Sequence, residues 1–189
     1  MWGSPGSNET HARVQPFPFI GCSMDDVIAD SAQAAGTDRL QQAYVAHARG
    51  LLRLCILVSG KKDVAEELVQ ETFLRAASAL ERLAEDEVGP YLRATSMNLW
   101  RNRLRRLALE RRVHPTRRQD SEVPFEDRDE LWRAIQHLPP RQRACLVLRY
   151  HEDLTEQQTA VLLHCSIGTV KSQTSRALAS LRKELRDAD

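Results

Sequence analysis

Residues 154–185 contain two stretches of helical periodicity separated by a short break, and this pattern constrains the fold more than any other part of the chain. In the first stretch Thr155 is a good N-cap, and Gln158 three residues later completes a capping box. The break covers residues 164–166, and Ser166 is the expected N-cap of the second stretch. We therefore predict a helix-turn-helix.

The second helix of this pair presents short polar and basic side chains on its outer face. Its inner positions recur at three- and four-residue spacing and are Val170, Thr174, Ala177, Leu178, Leu181 and Leu185. The outer positions that we predict to face DNA are Thr169, Lys171, Ser172, Ser175 and Arg176. Small polar residues with Lys and Arg near a helix start suit the major groove. An ordinary solvated helical hairpin has a similar pattern, so this segment alone only favours DNA binding.

The net charge of +1 hides a strong segregation of charge along the chain. Residues 61–90 carry eight acidic and four basic side chains, whereas residues 91–118 carry nine arginines and one glutamate. Residues 120–130 carry six acidic side chains and one arginine. This alternation predicts separate acidic and basic surfaces, and the basic surface is a candidate nucleic-acid footprint.

Helical periodicity extends through most of the remaining sequence. The predicted helices cover residues 37–58, 62–83, Pro90 to about residue 112, 129–137 and 140–150, with a short acidic loop at 83–89. The third helix carries a polar side formed by Asn98, Arg101, Asn102, Arg105 and Arg106. We predict an all-α fold of two small helical domains, residues 39–112 and 129–189, joined by a flexible linker at 113–128. Residues 1–38 are expected to form a disordered tail.

The four cysteines are far apart and show no spacing typical of a metal site. Cys55 and Cys145 lie in apolar runs, whereas Cys22 and Cys165 do not. We interpret the two apolar ones as reduced core thiols of a cytoplasmic protein, with a redox switch as the alternative. No apolar run approaches the ~18 residues that span a bilayer, so we expect no membrane insertion.

The sequence contains no pattern typical of an enzyme. No nucleophile–base pair, paired carboxylates, phosphate-binding loop or metal-ligand spacing is present. We therefore expect no catalytic residue, no cofactor and no metal.

Three sequence blocks, in this order, give the chain a family resemblance. DVAEELVQETFLRA at residues 63–76 is followed by YLRATSMNLWRNRLRR at 91–106, and SIGTVKS at 166–172 lies in the helix-turn-helix. The chain resembles the extracytoplasmic-function (group 4) RNA polymerase sigma factors over roughly residues 39–186. Response-regulator output domains resemble only the C-terminal part and lack the first block.

The resemblance implies a factor that binds core RNA polymerase, directs it to promoters with −35 and −10 elements and helps to melt the −10 region. It implies docking on the β′ clamp helices through Glu67, Gln70 and Glu71, with Arg75 beside them, a further contact with the β flap, and an anti-sigma factor as a partner. Acids and an amide at i, i+3 and i+4 form one stripe that suits a basic partner, although ordinary helix surfaces share this pattern.

The resemblance also assigns DNA contacts. Tyr91 and Asn98 match a pocket that holds a flipped-out base of the −10 element, a base that an amide is able to read along its edge. The remaining residues implied to contact the −10 DNA are Arg101, Asn102, Arg105 and Arg106. Lys171, Ser172, Ser175 and Arg176 match the positions that face the −35 element. The chain departs from the family at His164, where glycine is usual and a left-handed turn costs roughly 1 kcal/mol, and at Ser175, where a larger residue is common.

Two other classes of function remain open from the sequence. A stand-alone helix-turn-helix regulator explains the C-terminal half but leaves LVQETF unexplained. A decoy that sequesters anti-sigma factors explains the family resemblance, but it has no need of the basic residues 91–118.

Overall fold

The structure is a computed structural model that describes residues 32–113 and 130–187, with side chains over 38–110 and 130–186. All regular structure in these ranges is α-helical. The helices are α1 (Ala32–Ser59), α2 (Lys62–Leu80), α3 (Glu85–Val113), α4 (Glu130–His137), α5 (Pro140–Tyr150), α6 (Glu156–Leu163) and α7 (Ile167–Asp187). The prediction of an all-α fold is confirmed.

Helices α1–α3 form the N-terminal helix group, and apolar side chains at helical spacing build its core. The apolar residues at helical spacing along α2 are all buried, namely Val64, Leu68, Phe73, Ala76 and Leu80. Trp100 of α3 is a core residue, with 3% of its surface exposed. Tyr44 of α1 has the helical spacing of the inner residues Leu40, Ala48 and Leu51, which predicts an inward position, but it is 54% exposed. Its ring packs on one side against Phe73, with the ring centroids 5.0 Å apart.

The third helix begins five residues earlier than the sequence indicated. The segment 83–89 was predicted as a loop, but α3 starts at Glu85. Three acidic side chains in the first turn, at 85–87, interact favourably with the positive end of the helix dipole. Glu87 also accepts a hydrogen bond from the Ala84 amide at 2.9 Å. Pro90 lies inside the helix, where its missing N–H leaves one carbonyl without its usual helical donor.

Other boundaries also differ from the predictions. Helix α1 begins at Ala32, so the predicted tail boundary at residue 38 lies inside a helix. Helix α2 ends at Leu80, three residues before the predicted end. Residues 1–31, which include Cys22, and residues 114–129, which include most of the linker predicted at 113–128, lie outside the described residues.

Helices α4–α7 form the C-terminal helix group, in which α6 and α7 are the predicted helix-turn-helix. The capping box is present: Thr155 Oγ1 accepts from the Gln158 amide at 3.1 Å, and Gln158 Oε1 accepts from the Thr155 amide at 2.8 Å. Ser166 caps α7, because its Oγ accepts from the Thr169 amide at 3.1 Å. Thr155 and Ser166 therefore cap α6 and α7, respectively, as predicted.

The two helix groups share apolar contacts, and Ser31–Asp189 is one compact unit. Ala144, Val147 and Leu148 of α5 belong to the same buried cluster as the core of the N-terminal helix group. A second cluster lies within the C-terminal helix group and is formed by Ala134, Leu138, Leu146, Ala177 and Leu181. Helix α5 therefore contributes to both cores.

Cys55 and Cys145 are buried free thiols, as predicted for core cysteines. Burial raises the pKa of each thiol to about 12. Both are therefore protonated near neutral pH and are poor nucleophiles.

Candidate nucleic-acid interface

The outer face of α7 carries four of the five side chains predicted to face the −35 element. Lys171, Ser172, Ser175 and Arg176 are exposed and recur at spacings of one, three and four residues, which places them on one side of the helix. Thr169 is half-buried, and its Oγ1 lies 2.9 Å from Ser166 Oγ. Thr169 is thus part of the cap of α7 in addition to its place at the edge of this face.

Lys171 forms an ion pair with a residue of the neighbouring helix α6. Its Nζ lies 3.6 Å from Glu156 Oε2, in the first turn of α6. Both side chains are largely exposed, so this ion pair contributes little to stability. Its effect is to hold the ammonium group beside the first turn of α6.

The turn between α6 and α7 has the left-handed residue that the sequence departure indicated. His164 has φ 48° and ψ 54°, in the region where glycine is normally favoured. The Cys165 amide donates to the Ala160 carbonyl at 3.0 Å, which closes the end of α6. Partial burial, followed by the nearby Arg101 and Arg105, lowers the pKa of His164.

The polar side of α3 is also assembled as predicted. Asn98, Asn102, Arg105 and Arg106 are exposed, and Arg101 is half-buried. Arg101 Nη1 donates to Asn98 Oδ1 at 3.0 Å. Tyr91 is half-buried and packs against the core of the N-terminal helix group at the N-terminal end of this face. The six residues predicted to read the −10 element therefore lie along one helix.

The acidic stripe of α2 is the third candidate surface. Glu67 and Gln70 are exposed, and Glu71 is half-buried and bonded to Arg75 at 2.7 Å. Leu74, which sequence reasoning missed, lies three residues after Glu71 and is 74% exposed. The sequence does contain a signal for Leu74, because this apolar residue does not share the helical spacing of the buried residues of α2.

Arg143 is the second functional candidate that sequence reasoning missed. It is buried, and its guanidinium donates to backbone carbonyls of α1 and α4. Burial lowers its pKa to about 10, so it remains a cation with five N–H donors at neutral pH. The sequence signal for its burial is that Arg143 lies four residues before Val147, which places both residues on the inner face of α5.

The described residues contain no group of three His, Cys, Asp or Glu side chains arranged to hold a metal ion. Among the described helices, none is both long and apolar enough to cross a membrane.

Comparison with known proteins matches both helix groups to one family. Residues 43–110 match the model of sigma-70 region 2, and residues 128–181 match that of sigma-70 region 4. An RNA polymerase sigma-E factor of Streptomyces antibioticus is 35% identical over 130 residues, which are 66% of this chain and 72% of that protein. The ECF RNA polymerase sigma factor SigM of Mycobacterium tuberculosis is 32% identical and covers 82% of each chain.

The fold is shared with a solved structure of the sigma factor RpoE from Bartonella quintana, determined in complex with the anti-sigma factor NepR. The TM-score is 0.64 at 24% identity, over 77% of this chain and 96% of that chain. The region 2 match covers the part of the sequence that a stand-alone helix-turn-helix regulator leaves unexplained. The chain belongs to the extracytoplasmic-function RNA polymerase sigma factors of the sigma-70 family.

Proposed function

We propose that this sigma factor binds core RNA polymerase through α2, reads the −10 element with α3 and reads the −35 element with α7. The observation that carries the proposal is the presence of three separate polar faces on three helices of one chain. One is acidic and two are basic or amide-rich, which is the charge pattern that one protein partner and two DNA segments require. The chain has no catalytic role of its own in this proposal.

The proposed polymerase-binding surface combines charge with an apolar centre. Gln70 and Glu71 lie four and three residues before Leu74, respectively, so the three side chains are neighbours on α2. The exposed Leu74 supplies apolar area that is removed from water on docking, whereas the polar neighbours set orientation. The proposed partner surface is the β′ clamp helices, with the C-terminal helix group contacting the β flap.

The proposed −10 surface is suited to single-stranded DNA. The amide of Asn98 is able to pair with the edge of an extruded base, and the neighbouring arginines neutralise phosphates. The hydrogen bond from Arg101 orients the Asn98 amide. Asn98 Oδ1 accepts this bond, which leaves the NH₂ group of the amide as the donor for a base. The half-buried ring of Tyr91 opens this face.

The proposed −35 surface is suited to the major groove. The exposed serines of α7 are short enough to let the helix backbone approach base edges, and Arg176 reaches a guanine or a phosphate. We also propose an anti-sigma factor as a partner, on the basis of family membership, since the related RpoE was solved with NepR.

The proposal is tested by reconstituted transcription. The purified chain is added to core polymerase and a library of genomic fragments, and run-off transcripts are sequenced. We expect transcripts that start downstream of a shared pair of −35 and −10 sequences. A chain that binds DNA fragments but neither co-elutes with core polymerase nor supports transcripts would instead be a stand-alone regulator.

A further inference from the structure

The first helix of the helix-turn-helix carries a single charge, and that charge is negative. Glu156 is the only charged residue of α6. Its Oε2 lies 3.6 Å from Lys171 Nζ of α7, and the two side chains are 39% and 63% exposed, respectively. A carboxylate that reaches the surface therefore lies beside one of the cations proposed to contact the −35 element.

Lys171 differs in this respect from the other basic side chains of α7. These are Arg176, Arg182, Lys183 and Arg186, and all four are exposed. Within residues 32–113 and 130–187, none of these four lies within ion-pair distance of a carboxylate, whereas Lys171 does. The acid of α6 thus acts on one selected cation of the outer face of α7.

The packing of α6 against α7 fixes the positions of both partners. Glu156 directly follows Thr155, whose capping box with Gln158 sets the first turn of α6. Lys171 directly follows Val170, which is fully buried. Because each partner is next to an anchored residue, only rotation of the two side chains is able to separate the ion pair.

A helix-turn-helix brings these two partners to DNA in different ways. The second helix enters the major groove, whereas the first helix crosses the sugar–phosphate backbone. Glu156 is therefore on the helix that approaches phosphates, and the ammonium group of Lys171 is held beside that helix. Phosphates and the Glu156 carboxylate are both anions, so they compete for the same ammonium group.

Glu156 also has a local role within α6. An acid in the first turn of a helix interacts favourably with the positive end of the helix dipole. This role needs no basic partner on α7, so it predicts no dependence on Lys171. The stability of the fold and the affinity for DNA therefore report on two separable effects of the same carboxylate.

We propose that Glu156 is a positioning residue that holds Lys171 away from DNA phosphates and so limits the electrostatic affinity of α7. The proposal rests on the proposed function, because it requires α7 to bind DNA. Phosphates are the same in every sequence, so the limit applies equally to promoter and non-promoter duplexes. It matters most outside promoters, where electrostatic attraction supplies essentially all of the affinity.

The test compares four forms of the full chain, namely wild type, Glu156→Gln, Lys171→Met and the double variant. Fluorescence anisotropy measures their affinity for a 20-base-pair duplex of mixed sequence at several salt concentrations. The matched control is Asp153→Asn, which removes an exposed acid three residues before Glu156. Asp153 has φ 51°, a backbone conformation that asparagine tolerates, and within the described parts of the chain it has no ion pair.

We expect Glu156→Gln to bind the duplex about two- to fivefold more tightly at low salt, the range expected for the release of one exposed ion pair. The slope of log affinity against log salt should become steeper by up to roughly one unit, because one more phosphate is neutralised. In the Lys171→Met background, the same substitution should change affinity no more than Asp153→Asn does. A purely local role in α6 does not produce this dependence on Lys171.

Three results would overturn the proposal. Equal gains with and without Lys171 would mean that the carboxylate acts only by repelling DNA. Weaker binding by Glu156→Gln would mean that Glu156 holds Lys171 in position for a DNA contact, and unchanged affinity would mean that the pair has no effect. All titrations are run well below the melting temperature of the least stable variant, so a loss of helix stability does not enter the comparison.

Arg176→Ala, measured on the same duplex and on a promoter duplex, separates this proposal from the proposed function. If Arg176→Ala and Glu156→Gln both bind like wild type, α7 does not contact DNA and the two proposals fail together. If Arg176→Ala binds more weakly while Glu156→Gln matches wild type, only the restraint by Glu156 is wrong.

Discussion

Arg103 Nη1 of α3 lies 2.6 Å from Glu67 Oε2 of α2, so the helix proposed to bind DNA is bonded directly to the helix proposed to bind polymerase. Both side chains are substantially exposed, and the pair contributes little to stability. Its consequence is geometric: it sets the orientation of one end of the acidic stripe. Glu67 is therefore less available to a partner than Gln70, which is exposed and has no ion pair to satisfy.

Polymerase docking is predicted to depend on the centre of the α2 stripe. We expect Gln70→Ala combined with Glu71→Lys to abolish co-elution with core polymerase, because an acidic contact becomes repulsive toward a basic partner. Leu74→Ala should weaken docking through lost apolar burial. Circular dichroism melting should be unchanged, since these side chains are outside the core. Glu66→Ala, an exposed acid on the same helix, is the control, and equal affinity in all variants would contradict the assignment.

Promoter opening is predicted to depend on Asn98. Asn98→Ala removes the amide that Arg101 orients. We expect the free energy of open-complex formation to become less favourable by about 1–3 kcal/mol, and base preference to relax at one −10 position. Permanganate footprinting on a promoter found by transcript sequencing measures this. Arg106→Ala should instead weaken binding on all sequences about equally, as a phosphate contact does. Normal melting and normal base preference in Asn98→Ala would exclude the pocket.

Local features of the fold were predictable from the sequence where a side chain forms a hydrogen bond with a backbone amide of the same helical turn. The capping box of Thr155 and the cap at Ser166 act within one turn, so residue type and spacing are sufficient. The same holds for the left-handed His164. The start of α3 was missed because residues 83–89 have little apolar pattern, whereas acids in a first turn stabilise a helix through its dipole.

The packing between the helix groups did not follow from the sequence. Arg143 and Val147 share the inner face of α5. The spacing of apolar residues along α5 does not indicate whether this face packs against α7 or against α1. The partner is separated from α5 by more than 80 residues, as in the 85-residue separation of Arg143 from Val58. The residues of the −10 and −35 faces were each predictable as helix faces, whereas the burial of Arg101 depends on this distant contact.

A dependence on pH is predicted at His164. Burial and the charges of Arg101 and Arg105 lower its pKa in the folded chain below the ordinary value of about 6.5. The unfolded chain then binds more protons in this range, so the free energy of unfolding falls as the pH drops below about 6.5. Urea unfolding at pH 7.5 and 5.5 measures the loss. In His164→Asn, which tolerates the left-handed turn and does not titrate, the loss should be smaller; an equal loss in both proteins would contradict this assignment.

The two faces of α7 are predicted to fail in different ways. Arg176 is exposed, so Arg176→Ala should leave the melting temperature unchanged and weaken binding to a −35 duplex. Leu181 is buried in the core of the C-terminal helix group, so Leu181→Ala should lower the free energy of unfolding by about 2–5 kcal/mol through the cavity it leaves. DNA binding by Leu181→Ala should be lost only under conditions in which the protein unfolds.

The role of Arg176 itself is decided by salt and sequence dependence. If its guanidinium contacts a base, Arg176→Ala relaxes preference at one −35 position by about 1–3 kcal/mol. If it holds a phosphate, binding weakens about equally on cognate and scrambled duplexes, and the slope of log affinity against log salt falls by roughly one unit. Lys171→Ala, whose ammonium is paired with Glu156, should have the phosphate pattern in weaker form. Wild-type affinity of Arg176→Ala for both duplexes at every salt concentration would remove α7 from the −35 interface.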